Sequence, residues 1–192
     1  MTNFKPVKLD EIKYNPVELS EFWRRYFAEL SVDFGRLFSR NTAQNITARY
    51  LHRDVLLLNE YMKTTSRSAI MQPFKIFPEN EIGFIYLTGE LCNALIHYML
   101  GGQSSNDDTV HYLSQFDEKL LGNILSEMSL LIERHLKKYN NQLRFETLDP
   151  VHLSLMEIGI DRERLLSVQQ FLLVTGQNTY VMDIAFSNKF LE

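Results

Sequence analysis

Apolar side chains recur every three or four residues in two long stretches of the chain, and this spacing predicts two amphipathic helices. The first helix covers about residues 17–39, with Pro16 near its start. The second covers about residues 114–138. The side of the second helix that we expect to be buried carries Phe116, Leu120, Leu121, Ile124, Leu125, Met128, Leu131, Ile132 and Leu136.

Between these helices the pattern predicts strands and two shorter helices. "NITARYLH" alternates enough for a strand, and "VLLLNEYM" then indicates a short helix. "AIMQPFKIF" and "IGFIYLT" indicate two strands joined by a turn at "PENE". Thr88 is placed to cap a helix from Gly89 to Met99, and the polar residues 103–112 predict a loop.

The second half of the chain repeats this plan. "QLRFETLDPVHLSLMEI" is typical of extended chain, and "RLLSVQQFLLVT" and "TYVMDIAFS" predict a hairpin with "GQN" as its turn. Ser187 can cap a final helix. We therefore predict a single α/β (α+β) domain over residues 1–192, with internal pseudo-two-fold symmetry and a mostly antiparallel sheet packed by the long helices.

Composition excludes several classes of function. A net charge of −4 argues against nucleic-acid binding, which needs a basic surface, and no apolar run approaches a membrane span. The single Cys92 allows no internal disulfide and is expected to be a small core residue. The five histidines show no metal-ligand spacing, so we expect no metal and no cofactor.

Gly101 and Gly102 are the most distinctive local feature. A phosphate-binding loop places its glycines before a helix, whereas these follow one, at the partially negative end of the helix dipole. Asp107 and Asp108 add further negative charge. The pair therefore predicts a helix stop with one residue at positive φ, and the second glycine leaves room for a recognition role. No catalytic motif is present, and we expect no enzyme activity.

The order of these elements and several stretches resemble the middle domain of the flagellar motor switch protein family FliM. "LLNEYMKTTSRSAIMQPFKIFPENEIGFIYLTGELCNALIHYMLGGQ" is similar to the family's path from a helix, through a hairpin, to its Leu-Phe-Gly-Gly-x-Gly motif. "YLSQFDEKLLGNIL" and the closing strands also resemble it. The resemblance covers about residues 15–192.

The resemblance implies a non-enzymatic protein of the cytoplasmic ring of the motor, at the cytoplasmic face of the inner membrane. It would dock a FliG-like rotor protein through Gly101, Gly102, Gln103 and Ser104 and pack beside neighbouring FliM-like subunits. Ser104 replaces the family's last motif glycine, which predicts weaker docking. The family's N-terminal CheY-binding peptide and C-terminal FliN-like domain have no counterpart in this sequence, so phosphorylated CheY is expected to bind weakly at most.

"LSQFDEKLL" looks like that missing peptide, but Phe116, Leu120 and Leu121 fit the apolar side of the long helix, so burial is the expectation. Two alternatives stay open: a ring protein of a type III secretion injectisome, and a CheC/CheX-type phosphatase of phosphorylated CheY. The phosphatase signature pairs a Glu with an Asn three residues later. Ser114 and Glu118 have the spacing of the signature's preceding Asp or Ser and its Glu, but Leu121 holds the amide position. Glu90 and Asn93 have the three-residue spacing on the shorter helix.

Overall fold

The computed structural model describes residues 20–64, 68–102, 112–148, 163–176 and 178–191. These residues form four helices, six strands and a C-terminal 3₁₀ helix. In chain order the elements are α1 (Glu21–Thr42), β1 (Ile46–Leu57), α2 (Leu58–Thr64), β2 (Ile70–Phe77), β3 (Glu81–Leu87), α3 (Gly89–Met99), α4 (Gln115–Tyr139), β4 (Arg144–Thr147), β5 (Leu165–Thr175), β6 (Asn178–Ser187) and the 3₁₀ helix (Asn188–Phe190).

The six strands form one open sheet in the order β1-β5-β6-β3-β2-β4, and every neighbouring pair is antiparallel. The two hairpins, β2–β3 and β5–β6, meet in the middle through β3 and β6. The first strand of each half pairs with the hairpin of the other half: β1 with β5, and β4 with β2. This exchange is the pseudo-two-fold arrangement that the repeated sequence plan predicts, and it ties the halves into one sheet.

The two faces of the sheet are covered by two separate apolar clusters. Successive strand residues point to opposite faces, so Ile85 and Leu87 join one apolar cluster while Phe84 and Tyr86 join another. The larger cluster is rich in aromatic rings and includes buried residues of α1, α3 and α4. The smaller cluster lies on the opposite face and includes residues of α2. The helices implied by the long apolar stretches thus cover one face.

The long helices α1 and α4 pack against each other in opposite directions. At the start of α1, the Phe22 ring packs against the Tyr139 ring at the end of α4, with centroids 4.5 Å apart, and further along Asp33 Oδ2 lies 2.7 Å from His135 Nε2. Near its end, Arg40 pairs with Glu127, which precedes His135 in α4. These contacts join the first half of the chain to the second on the helix-covered face.

Most predicted elements are confirmed, and their ends need correction. α1 begins after Ser20, whose hydroxyl accepts from the Trp23 amide, and runs three residues past the predicted end. The short helix was predicted from residue 55, but β1 continues to Leu57 because Leu57 still pairs with Leu165 on β5. The final helix is a single 3₁₀ turn, and Ser187 makes no side-chain cap.

One burial prediction is wrong. Phe116 is 58% exposed, although it was expected on the buried side of α4. It precedes the fully buried Leu121 by five residues, about 140° around a helix of 3.6 residues per turn, so the two cannot share a face. Burial therefore explains Leu121 in "LSQFDEKLL" but does not explain Phe116.

Candidate partner-binding surface

Helix α3 is held at its start by Thr88, as the sequence predicts. The Thr88 hydroxyl accepts from the Leu91 amide at 3.3 Å and donates to the Val181 carbonyl of β6 at 3.2 Å. The helix then buries Leu91 and Leu95 in the larger apolar cluster. Its axis is therefore fixed by the sheet at one end and by the core along its length, so the position of its last turn is set by the fold.

The end of α3 forms a Schellman motif, the common helix stop that uses a left-handed residue. Leu100 is the C-cap, and Gly101 follows with φ of +82°. The Gly101 amide donates to the Tyr98 carbonyl at 3.0 Å, and the Gly102 amide donates to the His97 carbonyl at 2.9 Å. Both glycine amides therefore satisfy carbonyls of the last turn, and they are not available to hold a phosphate.

The two glycines serve the turn for different reasons. A Cβ on Gly101 would meet no atom within 4 Å, but its positive φ strains any other residue. Gly102 is not at positive φ, but a Cβ on it would lie 2.3 Å from His97 Nε2. The imidazole of His97 thus occupies the space that a side chain at 102 would take. This role of His97 was not predicted from the sequence, because it depends on the rotamer of the imidazole.

The other two residues of the predicted docking loop, Gln103 and Ser104, lie outside the described residues. The described chain on either side of residues 103–111 exposes large apolar side chains. Leu100 is 63% exposed before that stretch, and Tyr112 and Phe116 are 80% and 58% exposed after it. Exposed apolar groups of this size are typical of surfaces that bind other proteins. Neither Leu100 nor Tyr112 was predicted from the sequence to be a partner-binding residue.

The residues considered for phosphatase chemistry are placed as follows. Glu90 is exposed in the first turn of α3, and Asn93 is half-buried one turn later. Ser114 is the N-cap of α4, where its hydroxyl accepts from the Asp117 amide at 3.2 Å and the Asp117 carboxylate accepts from the Ser114 amide at 2.8 Å. The Ser114 side chain is therefore engaged in capping the start of α4.

Other chemistry finds little support in the part of the chain that the structure describes. Cys92 is buried, its thiol lies 3.6 Å from the Leu87 carbonyl, and burial raises its pKa to about 12. It is the core residue that the sequence predicts. Within the described ranges no group of three or more His, Cys, Asp or Glu side chains is placed to hold a metal ion. None of the described helices is both long enough and apolar enough to cross a membrane.

The fold is an α+β domain in which two similar halves exchange their first strands across one antiparallel sheet, and in which a glycine turn ends α3 at the surface. Solved structures with this fold include FliM middle domains and a FliY protein. The FliG–FliM complex from H. pylori matches with a TM-score of 0.76 at 13% identity, over 88% of this chain and 94% of the other.

Two further structures agree. The FliM middle domain from H. pylori matches with a TM-score of 0.75 at 11% identity, over 90% of this chain and 98% of its own. FliY from Thermotoga maritima matches with a TM-score of 0.70 at 12% identity, over 91% and 94%. No protein-family model matches the sequence, and no curated protein is significantly similar to it. The resemblance to FliM middle domains is thus confirmed at the level of the fold.

Proposed function

We propose that this protein is a non-enzymatic interaction protein of the flagellar motor switch, acting in the cytoplasmic ring at the inner membrane. In this role it docks a FliG-like rotor protein through residues 101–104 and packs beside like subunits. One observation carries the proposal: a FliM middle-domain fold over most of the chain presents an exposed glycine turn at the end of α3. A solved neighbour with this fold is a complex of FliM with FliG.

The chemistry of the turn supports docking by backbone approach. Gly101 carries no side chain to hold a partner away, and no atom lies within 4 Å of where its Cβ would be. The neighbouring Leu100 offers an exposed apolar side chain as an anchor. A partner could therefore reach the main chain of the turn while burying Leu100, and both contacts would be lost if the turn changed shape.

The first test separates the turn's role in folding from its role in binding. Gly101→Ala should lower the free energy of unfolding by about 1 kcal/mol because Ala disfavours positive φ. Gly176, in the β5–β6 turn, is a matched control: it has φ of +56°, and its Cβ would also meet no atom within 4 Å. Both variants should lose similar stability, and calorimetric titration with FliG from the same genome should detect weakened binding only for Gly101→Ala.

Gly102 tests the surface more directly. Gly102→Ala displaces the exposed His97 ring, so we expect a small loss of stability and at least about tenfold weaker FliG binding. The double variant His97→Ala/Gly102→Ala removes the steric conflict and should bind no better. Full recovery of binding in the double variant would mean that residue 102 is not itself contacted. Ser104→Gly should strengthen binding.

The alternatives predict different results. An injectisome ring protein would bind no FliG, and all variants would then be equal in this assay. A phosphatase of phosphorylated CheY would accelerate loss of the phosphate, and Glu90→Ala or Asn93→Ala would abolish that acceleration. We expect no acceleration, and at most weak binding of phosphorylated CheY.

A further inference from the structure

A cluster of polar and titratable side chains lies on the sheet face opposite α1, α3 and α4. Asp183 of β6 is directly opposite Gln170 of β5 and Tyr86 of β3, so the three side chains share this face. Tyr61 of α2 lies above them, and its hydroxyl donates to Asp183 Oδ2 at 3.0 Å. The Gln170 amide approaches Asp183 Oδ1 at 3.4 Å. Asp183 is only 8% exposed.

A second buried carboxylate belongs to the same cluster. Asp54 of β1 is 3% exposed, and its Oδ2 lies 3.0 Å from Nε2 of His52, the half-exposed residue opposite Gln170. Its other oxygen, Oδ1, is buried and accepts no hydrogen bond. A buried carboxylate oxygen without a donor is costly in the ionised state.

The described titratable groups that face Asp183 come from three neighbouring elements. They are Tyr61 of α2, Tyr86 of β3, and His52 and Asp54 of β1. Burial raises the pKa of Asp183 to about 6, and the negative charge of Asp54 adds to the rise, while the Tyr61 hydrogen bond opposes it. Burial also raises the pKa of Asp54, against the opposing effect of His52. Both carboxylates therefore bind a proton more tightly when this face is closed than when they are exposed to water.

We propose that Asp183, Asp54 and Tyr61 form a proton-operated latch, in which a proton on the carboxylates keeps α2 closed on the sheet and loss of the proton favours its opening. The geometry points to α2 because Tyr61 covers Asp183 and because Leu58 and Tyr61 are its buried residues in the smaller cluster. Lifting α2 would hydrate both carboxylates. This device acts on the face away from the glycine turn and does not depend on the proposed function.

The direction of the effect follows from linkage. The pKa of Asp183 is raised when α2 is closed and returns toward its ordinary value when α2 is open, so the closed state binds more protons. Closure is therefore most favoured below about pH 4, near the ordinary pKa of Asp. That advantage is lost as the pH rises through about 6, the pKa of Asp183 in the closed state. Above this range the opening equilibrium no longer changes.

Amide hydrogen exchange of the whole chain measures this opening. The amides of residues 62–64 are the ones that a seven-residue helix can bond internally, so they report α2 directly. After correction for intrinsic exchange, the opening constant of α2 should rise by about tenfold or more between pH 4.5 and pH 7. Asp183→Asn should abolish this rise. Asp33→Asn, on the helix-covered face, is the matched control and should leave it unchanged.

Two further variants should move the midpoint in opposite directions. Asp54→Asn removes a like charge, so the midpoint should shift to lower pH. Tyr61→Phe removes a hydrogen bond that favours the ionised carboxylate, so the midpoint should shift to higher pH. An opening constant that is independent of pH in the wild type would overturn the proposal. So would an unchanged midpoint in both variants, which remains a test if Asp183→Asn fails to fold.

Discussion

The two halves of the chain share one order of elements but differ in how a helix begins after each hairpin. The first half ends in α3, an eleven-residue helix with a side-chain cap at its start and a glycine stop at its end. The second half reaches a 3₁₀ turn of three residues, Asn188–Phe190, without a side-chain cap. The symmetric part, two hairpins and their exchanged strands, builds the sheet. The asymmetric part places the glycine turn, which has no described counterpart in the second half.

The long helices α1 and α4 differ in how closely they pack against their neighbours. Both contain an internal glycine, yet a Cβ on Gly35 of α1 would lie 3.0 Å from the Ala48 amide nitrogen of β1. A Cβ on Gly122 of α4 would meet no atom within 4 Å. Helix α1 therefore approaches the backbone of its own first strand closely, whereas α4 does not need its glycine for packing. A glycine inside a long helix is thus required by packing in α1 but not in α4.

The largest effect is expected at the junction of the halves. A Cβ on Gly83 of β3 would lie 2.3 Å from the Phe74 ring and 2.6 Å from the Ala185 carbonyl oxygen of β6. The carbonyl belongs to the central strand pair and cannot move away alone. Gly83→Ala should therefore lower the free energy of unfolding by about 3 kcal/mol, measured by urea denaturation. Adding Phe74→Leu should recover little, and full recovery would locate the strain in the ring alone.

The long helices provide the second comparison. Gly35→Ala must push α1 away from Ala48 and from the Ile46 carbonyl oxygen, 3.2 Å from the added Cβ, and should destabilise the protein by about 1–2 kcal/mol. Gly122→Ala should instead stabilise it by up to about 1 kcal/mol, because Ala favours a helix interior over Gly. The two glycine-to-alanine substitutions should thus change the free energy of unfolding in opposite directions, as measured by denaturant titration. Equal effects would contradict the difference in packing.

The sequence predicted much of this fold because its signals were local and mutually consistent. The helix start at Thr88 was predicted from its capping side chain, and this cap is present. The repeated order of elements predicted the symmetry. The start of α2 was misplaced because a short apolar run such as residues 55–57 is compatible with either a helix or a strand. Here these residues pair with β5 and therefore belong to β1.

The candidate site was only partly predictable. The glycine stop was predictable because it depends on backbone conformation, and the structure confirms positive φ at Gly101. The contact between His97 and the position of a Gly102 side chain depends on a rotamer, which composition and spacing do not determine. The polar cluster of Asp54 and Asp183 was missed because the two residues are far apart in sequence and meet only through the register of three strands.

The smallest expected effect concerns the starts of α3 and of the 3₁₀ helix, each of which follows a hairpin. Thr88→Ala removes the hydroxyl that accepts from the Leu91 amide and donates to Val181 of β6. Loss of such a cap costs about 1 kcal/mol. Ser187 begins the 3₁₀ helix without a side-chain cap, so Ser187→Ala should change stability by less than about 0.5 kcal/mol. Thermal unfolding of both variants measures the difference.

The Thr88 bond to Val181 also joins α3 to the other half of the chain, which gives this comparison a second readout. In Thr88→Ala, the amides of the first turn of α3 should exchange faster with solvent, while those near the Gly101 stop should change less. The valine variant Thr88→Val keeps the branched shape without the hydroxyl and should behave like Thr88→Ala. If Thr88→Val retained wild-type stability, the packing of this side chain would matter more than its hydrogen bonds. The start of α3 would then be held by its apolar contacts.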